Sequence, residues 1–488
     1  MMTDSGVAFG TSGARGLVSQ MTDEVCAAYA TAFLSVISQS FTVMRVALGM
    51  DLRPSSPRIV KACAAALHHA GIIVDYCGAL PTPALALYAQ SCGIPAIMVT
   101  GSHIPFDRNG IKFYRPDGEI TKSDESAIAD AVVEVHVGES SLPALNPAAL
   151  EQYVQRYLDF FPAHYLNGMH LGVYEHSSVA RDVLRNILEG LGAKVTSLGR
   201  TEEFVPIDTE AVAEVDIQRG REWAQAHRFD AIISTDGDGD RPLISDETGS
   251  WLRGDIVGLI CARYLGANKV VVPVSCNTAI ELCGAFETVL RTRIGSPYVI
   301  AGMQEFTSPP LNSPSPQSSP TYVREGERKE QSSTPAIVGF EANGGFLVGS
   351  SFTHDGKKIA PLPTRDAVLP ALAVLAAAKH GKVSDLMKSL PERYTASDRL
   401  QNYPVESSRE LILKLTNDKH ALQSYLAPDG AQVIDCNTTD GLRITFDNGE
   451  IVHLRPSGNA PELRCYCEAS SNERAVQLVQ TVLAKIRC

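Results

Sequence analysis

Positive charge is in short supply in this chain. Lysine and arginine total 43 against 55 aspartates and glutamates, a net charge of −12 over 488 residues. Nucleic acids and anionic membranes demand a strongly basic surface, so neither is expected as a partner, although a few local arginines can still receive a small anion. Paired cysteine motifs are missing as well. The 11 cysteines are scattered, with Cys465-x-Cys467 the one close pair and no Cys-x-x-Cys or His/Cys grouping at zinc spacing. That usage predicts a reduced, cytoplasmic protein. The start, MMTDSGVAFGTSGARG, lacks an apolar signal core, so secretion is not expected. Two uncharged runs fail as membrane spans. Val25–Met44 carries a polar stripe at Thr31, Ser35 and Ser38 behind a Thr22 cap, and Tyr76–Phe106 contains four prolines and three glycines; both read as core.

The composition is that of a globular chain, and its length implies about three or four domains. Three stretches repeat one pattern: 45–78, 171–199 and 270–298 each run β-branched strand, Ser/Asn-bearing turn, amphipathic helix, second strand. Such units build parallel strands with right-handed crossovers, which predicts α/β domains over 1–142, 143–253 and 254–390. Beyond about residue 390 the pattern changes. DGLRITFDNGEIVHLRPSGNAPELRCYCEAS reads as three short strands, with a hairpin turn at Asp447-Asn448-Gly449 and a closing helix from Asn472, a small α+β domain over 391–488. Residues 306–335 hold six prolines and seven serines and read as a disordered insert in the third domain.

Asp236, Asp238 and Asp240 alternate with glycines in STDGDGDRPLISDETG, 234–249. Carboxylates this close repel unless a divalent cation joins them. With Glu247 they match loop positions of an EF-hand, but Arg241 stands where that turn needs glycine, and FDAIIST before it reads as a strand. A solvated acidic turn is the plainer alternative. In IMVTGSHIPFDRNGIKFYRPDGEI, 97–120, Ser102 follows an apolar strand and is expected to be exposed at its end, with His103 and Lys112 in reach of a reacting oxygen. A Gly-x-Ser-x-Gly elbow is excluded by Thr100 and Ile104; otherwise Ser102 merely caps a turn and His103 is a buried tautomer. Glu341 and Asn343 in VGFEANGGFLVGS offer an acceptor and an amide suited to paired hydroxyls. Arg455, Ser457, Gly458, Asn459 and Arg464 in RPSGNAPELR form a donor set suited to a phosphate, or else an exposed hairpin. Arg15 centres the glycine-rich FGTSGARG.

Together, and in this order, these motifs resemble the α-D-phosphohexomutases over nearly the whole chain. The resemblance implies three related α/β domains with mixed, mostly parallel sheets and a smaller C-terminal α+β domain around a central cleft. It implies a phosphoserine at Ser102 and Mg²⁺ on Asp236, Asp238, Asp240 and the phosphoserine oxygen. Proton transfer falls to Lys112 and His103, with Arg241 and Arg15 near the reacting phosphate. Glu341 and Asn343 would read the sugar, and Arg455, Ser457, Gly458, Asn459 and Arg464 the distal phosphate. The implied reaction interconverts mannose 1- and 6-phosphates through a hexose 1,6-bisphosphate, in a monomer or homodimer. Glucose phosphates are the nearest alternative, glucosamine phosphates a further one, and a metal-assisted serine phosphatase the rival of another class. Ile104 replaces a frequent Asn, Asn343-Gly344-Gly345 replaces Ser-Gly-His, Asn459-Ala460 replaces Thr-Glu, and the insert has no counterpart.

Overall fold

The computed structural model describes residues 2, 4–10, 12–138, 141–307, 335–457 and 461–487. All but residues 306, 307 and 335 of the expected insert, and also Gly458 and Asn459, lie outside the described residues.

The three repeats each form a parallel pair of strands. Arg45–Met50 pairs with Ile73–Ala79, His170–Tyr174 with Lys194–Leu198, and Lys269–Pro273 with Thr288–Thr292. Helices Ser56–His69, Arg181–Gly190 and the shorter Ala279–Leu282 make the crossovers. On the other side of each first strand lies a third parallel strand, Ala96–Val99, Ala231–Thr235 or Ile337–Phe340. Each third strand is wholly buried, which is why these segments are apolar without alternation. The chain then turns and returns antiparallel, as Arg108–Arg115, Pro242–Ile244 and Phe346–Val348. The sheets are thus mixed, with three parallel strands running to one edge and the antiparallel strands all on the other side.

Helix Asp23–Ile37 packs on the first sheet. Its cap is Thr22, whose Oγ1 accepts from Val25 N at 3.3 Å, and Asp23 and Glu24 complement the helix dipole. Thr31 is half-buried and Ser35 exposed, so the polar stripe faces outward. Among the described residues no helix is long and apolar enough to cross a membrane.

One apolar cluster runs through the first three sheets, from Leu85 and Met98 through Tyr157 and Ile233 to Val270, Phe340 and Leu372. The last sheet is antiparallel and has its own core of Leu442, Ile444, Leu454, Leu463 and Leu483. Besides the three expected strands it contains Tyr394–Gln401, paired along Glu462–Ala469, and the edge strand Val433–Asn437. Two helices, Val405–Asn417 and Lys419–Leu426, join those extra strands.

Candidate active site

The repeat puts three loops at one topological position, between the third parallel strand and its antiparallel return. In the first sheet that loop carries Ser102, in the second the three aspartates, in the third Glu341 and Asn343. Open α/β sheets bind ligands at the carboxyl ends of their strands, and here all three such ends converge.

Ser102 adopts φ 54°, a left-handed conformation costly for a residue with a side chain. Its amide donates to Thr100 Oγ1 at 2.8 Å, and Thr100 in turn donates to Asp51 Oδ2 at 2.8 Å. The expected exposed serine is in fact 0% exposed, because the carboxylate loop of the second domain covers it. Its Oγ donates to Asp236 Oδ2 at 2.6 Å.

Asp236, Asp238 and Asp240 are buried, with Gly239 at φ 70° making the turn between the last two. Lys112 Nζ donates to Asp238 Oδ2 at 2.6 Å and to Asp240 Oδ2 at 2.7 Å. Thr82 Oγ1 adds a 2.7 Å bond to Asp238. The amides of Asp240 and Arg241 both point at Asp236 Oδ1, at 3.2 Å each. Burial and the two neighbouring carboxylates push Asp236 well above the usual carboxylate range. Burial also acts against ionisation of Asp238 and Asp240, but Lys112 outweighs it at Asp238, and Arg365 and Lys112 at Asp240, so both are lowered.

The donor set fits a divalent cation. One oxygen from each aspartate lies within 4.8 Å of the other two, and among the described residues Asp238 Oδ1 and Asp240 Oδ1 are buried without a hydrogen-bond donor. Buried carboxylate oxygens of this kind call for a hard cation. The EF-hand reading fails, since Glu247 turns away to accept from Ser384 Oγ at 2.6 Å.

His103 and Arg241 complete the reacting end. His103 Nδ1 is 3.3 Å from Ser102 Oγ and accepts from Arg241 Nη1 at 2.8 Å. Burial, then the charges of Arg241 and Arg15, hold the His103 pKa well below its ordinary value. Arg15 is brought into the same field: burial, Arg241 and Arg365 lower its pKa to about 10.

Glu341 and Asn343 are buried. Asn343 Oδ1 accepts from Gly345 N at 3.0 Å, and its carbonyl accepts from Thr209 Oγ1 at 2.7 Å. Arg365, which the sequence reading missed, joins this loop to the aspartates. Its Nη1 donates to Glu341 Oε2 at 3.2 Å, and its Nε and Nη2 donate to Asp240 Oδ2 at 3.1 and 2.9 Å. Gly345 makes room for it, since a Cβ there would sit 2.5 Å from Arg365 Cδ. The available signal was the Arg-Asp pair between two apolar stretches, LPTRDAVLPAL.

Arg455 and Arg464 lie on the two hairpin strands of the C-terminal sheet, and Ser457 just past the first of them. Arg455 Nε donates to Asp440 Oδ2 at 3.0 Å, and Ser457 N to the Glu462 carbonyl at 2.9 Å. Arg464 lies 3.9 Å from Glu462. Arg464 and Arg241 both act on Glu210 of the second domain, so the C-terminal hairpin faces the domain that carries the aspartates.

Three family models match the chain. They are phosphoglucomutase/phosphomannomutase alpha/beta/alpha domain I at residues 6–136, alpha/beta/alpha domain III at 253–394, and the C-terminal domain at 400–485. A phosphomannomutase of Salmonella muenchen is 49% identical over 100% of this chain and 97% of its own. The chain belongs to the phosphoglucomutase/phosphomannomutase family. It is an isomerase of the phosphohexomutase class. A Sinorhizobium fredii phosphomannomutase is 44% identical, covering 98% of both chains. Among solved structures, a family protein from Burkholderia thailandensis aligns at TM-score 0.73 with 20% identity, covering 100% of this chain and 97% of that one. An Aspergillus fumigatus N-acetylphosphoglucosamine mutase in complex with GlcNAc-6P and magnesium aligns at 0.57 with 14% identity, over 100% and 98%. At these identities the structures speak for the fold alone.

Proposed function

We propose that this family member interconverts mannose 6-phosphate and mannose 1-phosphate in the cytoplasm, through a phosphoserine at Ser102 and a hexose 1,6-bisphosphate. The observation that carries the reading is Ser102 Oγ on Asp236 inside the buried aspartate cluster. Full-length relatives named phosphomannomutase support the choice of sugar. The division we adopt is 1–142 for the serine domain, 143–253 for the carboxylate domain, 254–390 for the sugar-loop domain and 391–488 for the phosphate-gripping domain.

In the forward step a sugar hydroxyl attacks the phosphorus on Ser102. The Oγ–P bond breaks, a new O–P bond forms, and the bisphosphate results. The hydroxyl loses one proton and the serine oxygen gains one. Lys112 and His103 relay it, with His103 Nδ1 3.3 Å from Ser102 Oγ. Arg15, Arg241 and Arg365 meet the charge of the transferring group. Mg²⁺, held by Asp236, Asp238, Asp240 and the phosphoserine oxygen, supplies charge neutralisation for that group when bound. The bisphosphate then turns over, and its other phosphate returns to Ser102. Glu341 and Asn343 orient the ring, while Arg455, Ser457 and Arg464, with Gly458 and Asn459, grip the phosphate that is not reacting.

The test is turnover of mannose, glucose and glucosamine 1-phosphates, each with Mg²⁺ and a trace of bisphosphate. Preferred interconversion of mannose 1-phosphate is expected. Net release of inorganic phosphate would replace a mutase with a phosphatase, and a preference for another sugar would move the specificity.

A further inference from the structure

Arg53 is fully buried beneath the serine loop. Its guanidinium gathers four backbone carbonyls, three from the serine loop and one from the first residue of the strand that follows it. Nη2 donates to the carbonyls of Ser102 at 2.8 Å and Ile104 at 2.6 Å. Nη1 donates to those of Pro105 at 2.8 Å and Arg108 at 2.9 Å. Asp51 balances the charge, with Oδ2 3.3 Å from Arg53 Nε. The same carboxylate accepts from Ser56 Oγ and Thr100 Oγ1, so the pair ties the strand end to the loop beyond it. Gly101 is required by this packing, since a Cβ there would lie 2.5 Å from Arg53 Cζ.

The second half comes from another domain. The half-buried Phe204, on the segment after strand Lys194–Leu198, places its ring 4.0 Å from Arg53 Cζ. Gly237, in the carboxylate loop, packs against both the serine loop and Phe204: a Cβ there would lie 2.8 Å from the Ser102 carbonyl oxygen and 3.4 Å from the Phe204 ring. Serine loop, carboxylate loop and Phe204 therefore meet around one carbonyl, that of the residue held at φ 54°.

We propose that Arg53 is a positioning residue for phosphoryl transfer, and that its stack on Phe204 forms the joint holding the Ser102 loop in register with the aspartate loop. The inference rests on the mutase reading above. A carbonyl pinned at 2.8 Å by a charged donor keeps Ser102 in its left-handed conformation, which aims Oγ at Asp236. Arginine is needed because a planar fork reaches several carbonyls at once, whereas lysine offers a single point charge. The aromatic face sets the height of that fork against the second domain. Loosening the joint displaces phosphoserine from its acceptor and admits water. Water then attacks the phosphorus, the Oγ–P bond breaks, and orthophosphate and the free serine hydroxyl are released.

The experiment compares Arg53→Lys, Phe204→Leu and Phe204→Tyr in the full-length protein, with Ser102→Ala as reference. For Arg53→Lys we expect kcat to fall about 10- to 100-fold while KM stays within about threefold, since alignment is lost but substrate grip is not. Orthophosphate released per interconversion should rise at least about fivefold. Phe204→Leu should show the same signature more weakly, and Phe204→Tyr should recover most of it, because the ring face is restored. The double variant Arg53→Lys/Phe204→Leu should lose less than the product of the single losses. Unchanged kcat and unchanged phosphate release in a folded Arg53→Lys protein would overturn the inference, as would a loss confined to KM. Should Arg53→Lys not fold, the Leu and Tyr variants decide alone, and equal kcat and leakage in both overturns it. The two readings separate cleanly: a Ser102→Ala protein that still interconverts sugars refutes the phosphoserine route through Ser102, whereas an inert Ser102→Ala beside a normal Arg53→Lys refutes only the joint.

Discussion

Asp238 has one oxygen held by Lys112 and Thr82 and another without a donor among the described residues. Asp238→Asn removes a charge and turns one of those oxygens into a donor facing Lys112. Turnover is expected to fall at least about 100-fold and Mg²⁺ binding to weaken, as transferring phosphoryl charge loses its counterion. Calorimetric Mg²⁺ titration together with kcat checks this, and normal values for both would remove the aspartates from the site. Glu341 is tied to Arg365 at 3.2 Å. In Glu341→Gln the pure acceptor becomes an amide and the ion pair is lost, so discrimination among hexose 1-phosphates should fall about 10-fold or more. Competition assays with paired substrates read it; unchanged selectivity with reduced turnover would assign Glu341 to chemistry.

At the scale of elements, strand Leu362–Asp366 delivers Arg365 because its last residue is anchored. Asp366 accepts from Tyr153 Oη and Tyr157 Oη at 2.5 Å each, and from the amide of Val368 at 3.1 Å. The two tyrosines lie on helix Ala148–Phe160, so the second domain fixes a strand of the third. Tyr157→Phe should cost about 1–3 kcal/mol by leaving a buried carboxylate short of a donor, visible as a lower midpoint in urea. A loss below about 0.5 kcal/mol would show that Asp366 finds a replacement donor.

In the C-terminal sheet, strand Ile451–Pro456 carries His453, whose Nε2 donates to the Asp440 carbonyl at 2.6 Å. Burial, with Arg443 and Arg455 nearby, lowers its pKa to about 4, against the pull of that hydrogen bond and of Asp440. The folded state thus binds the proton less readily than the unfolded chain does. Its contribution is full above about pH 6.5, declines as the pH falls toward 4, and reaches a loss of about 3 kcal/mol below that. The fall in melting temperature over this window should be shallower in His453→Gln than in the parent. Parallel pH profiles would place the acid sensitivity elsewhere.

The molecule as a whole divides where its apolar contacts divide. A single cluster links the first three sheets, while the last sheet closes on its own core. Polar contacts join the two bodies: Glu468 accepts from Thr278 N and Oγ1, the Arg393 carbonyl accepts from Asn277 Nδ2, and Asp440 accepts from Ile294 N. Apolar burial carries most cooperative stability, so calorimetry should show the C-terminal domain melting as a separate transition. One transition coincident for all probes would mean that the polar joint couples the two cores fully.

The sequence alone determined the repeat, because each βαβ unit is written in local patterns: buried strands without alternation, amphipathic helices, turn residues between them. It also singled out the loops of Ser102, the three aspartates and Glu341, which the fold brings together, since loops at strand ends keep their chemistry in a few adjacent residues. The strands Tyr394–Gln401 and Val433–Asn437 were missed, their half-exposed polar sequences having no periodicity strong enough to read. Tertiary structure decided what covers what. Ser102 looked exposed because its own strand ends there, and only the approach of the second domain buries it. Arg53 and Arg365 stay hidden in sequence for the same reason. Each acts on partners from two loops, Arg53 on carbonyls up to 55 residues away and Arg365 on a carboxylate 125 residues away. A guanidinium's role is set by which acceptors surround it, and chain folding alone assembles those acceptors.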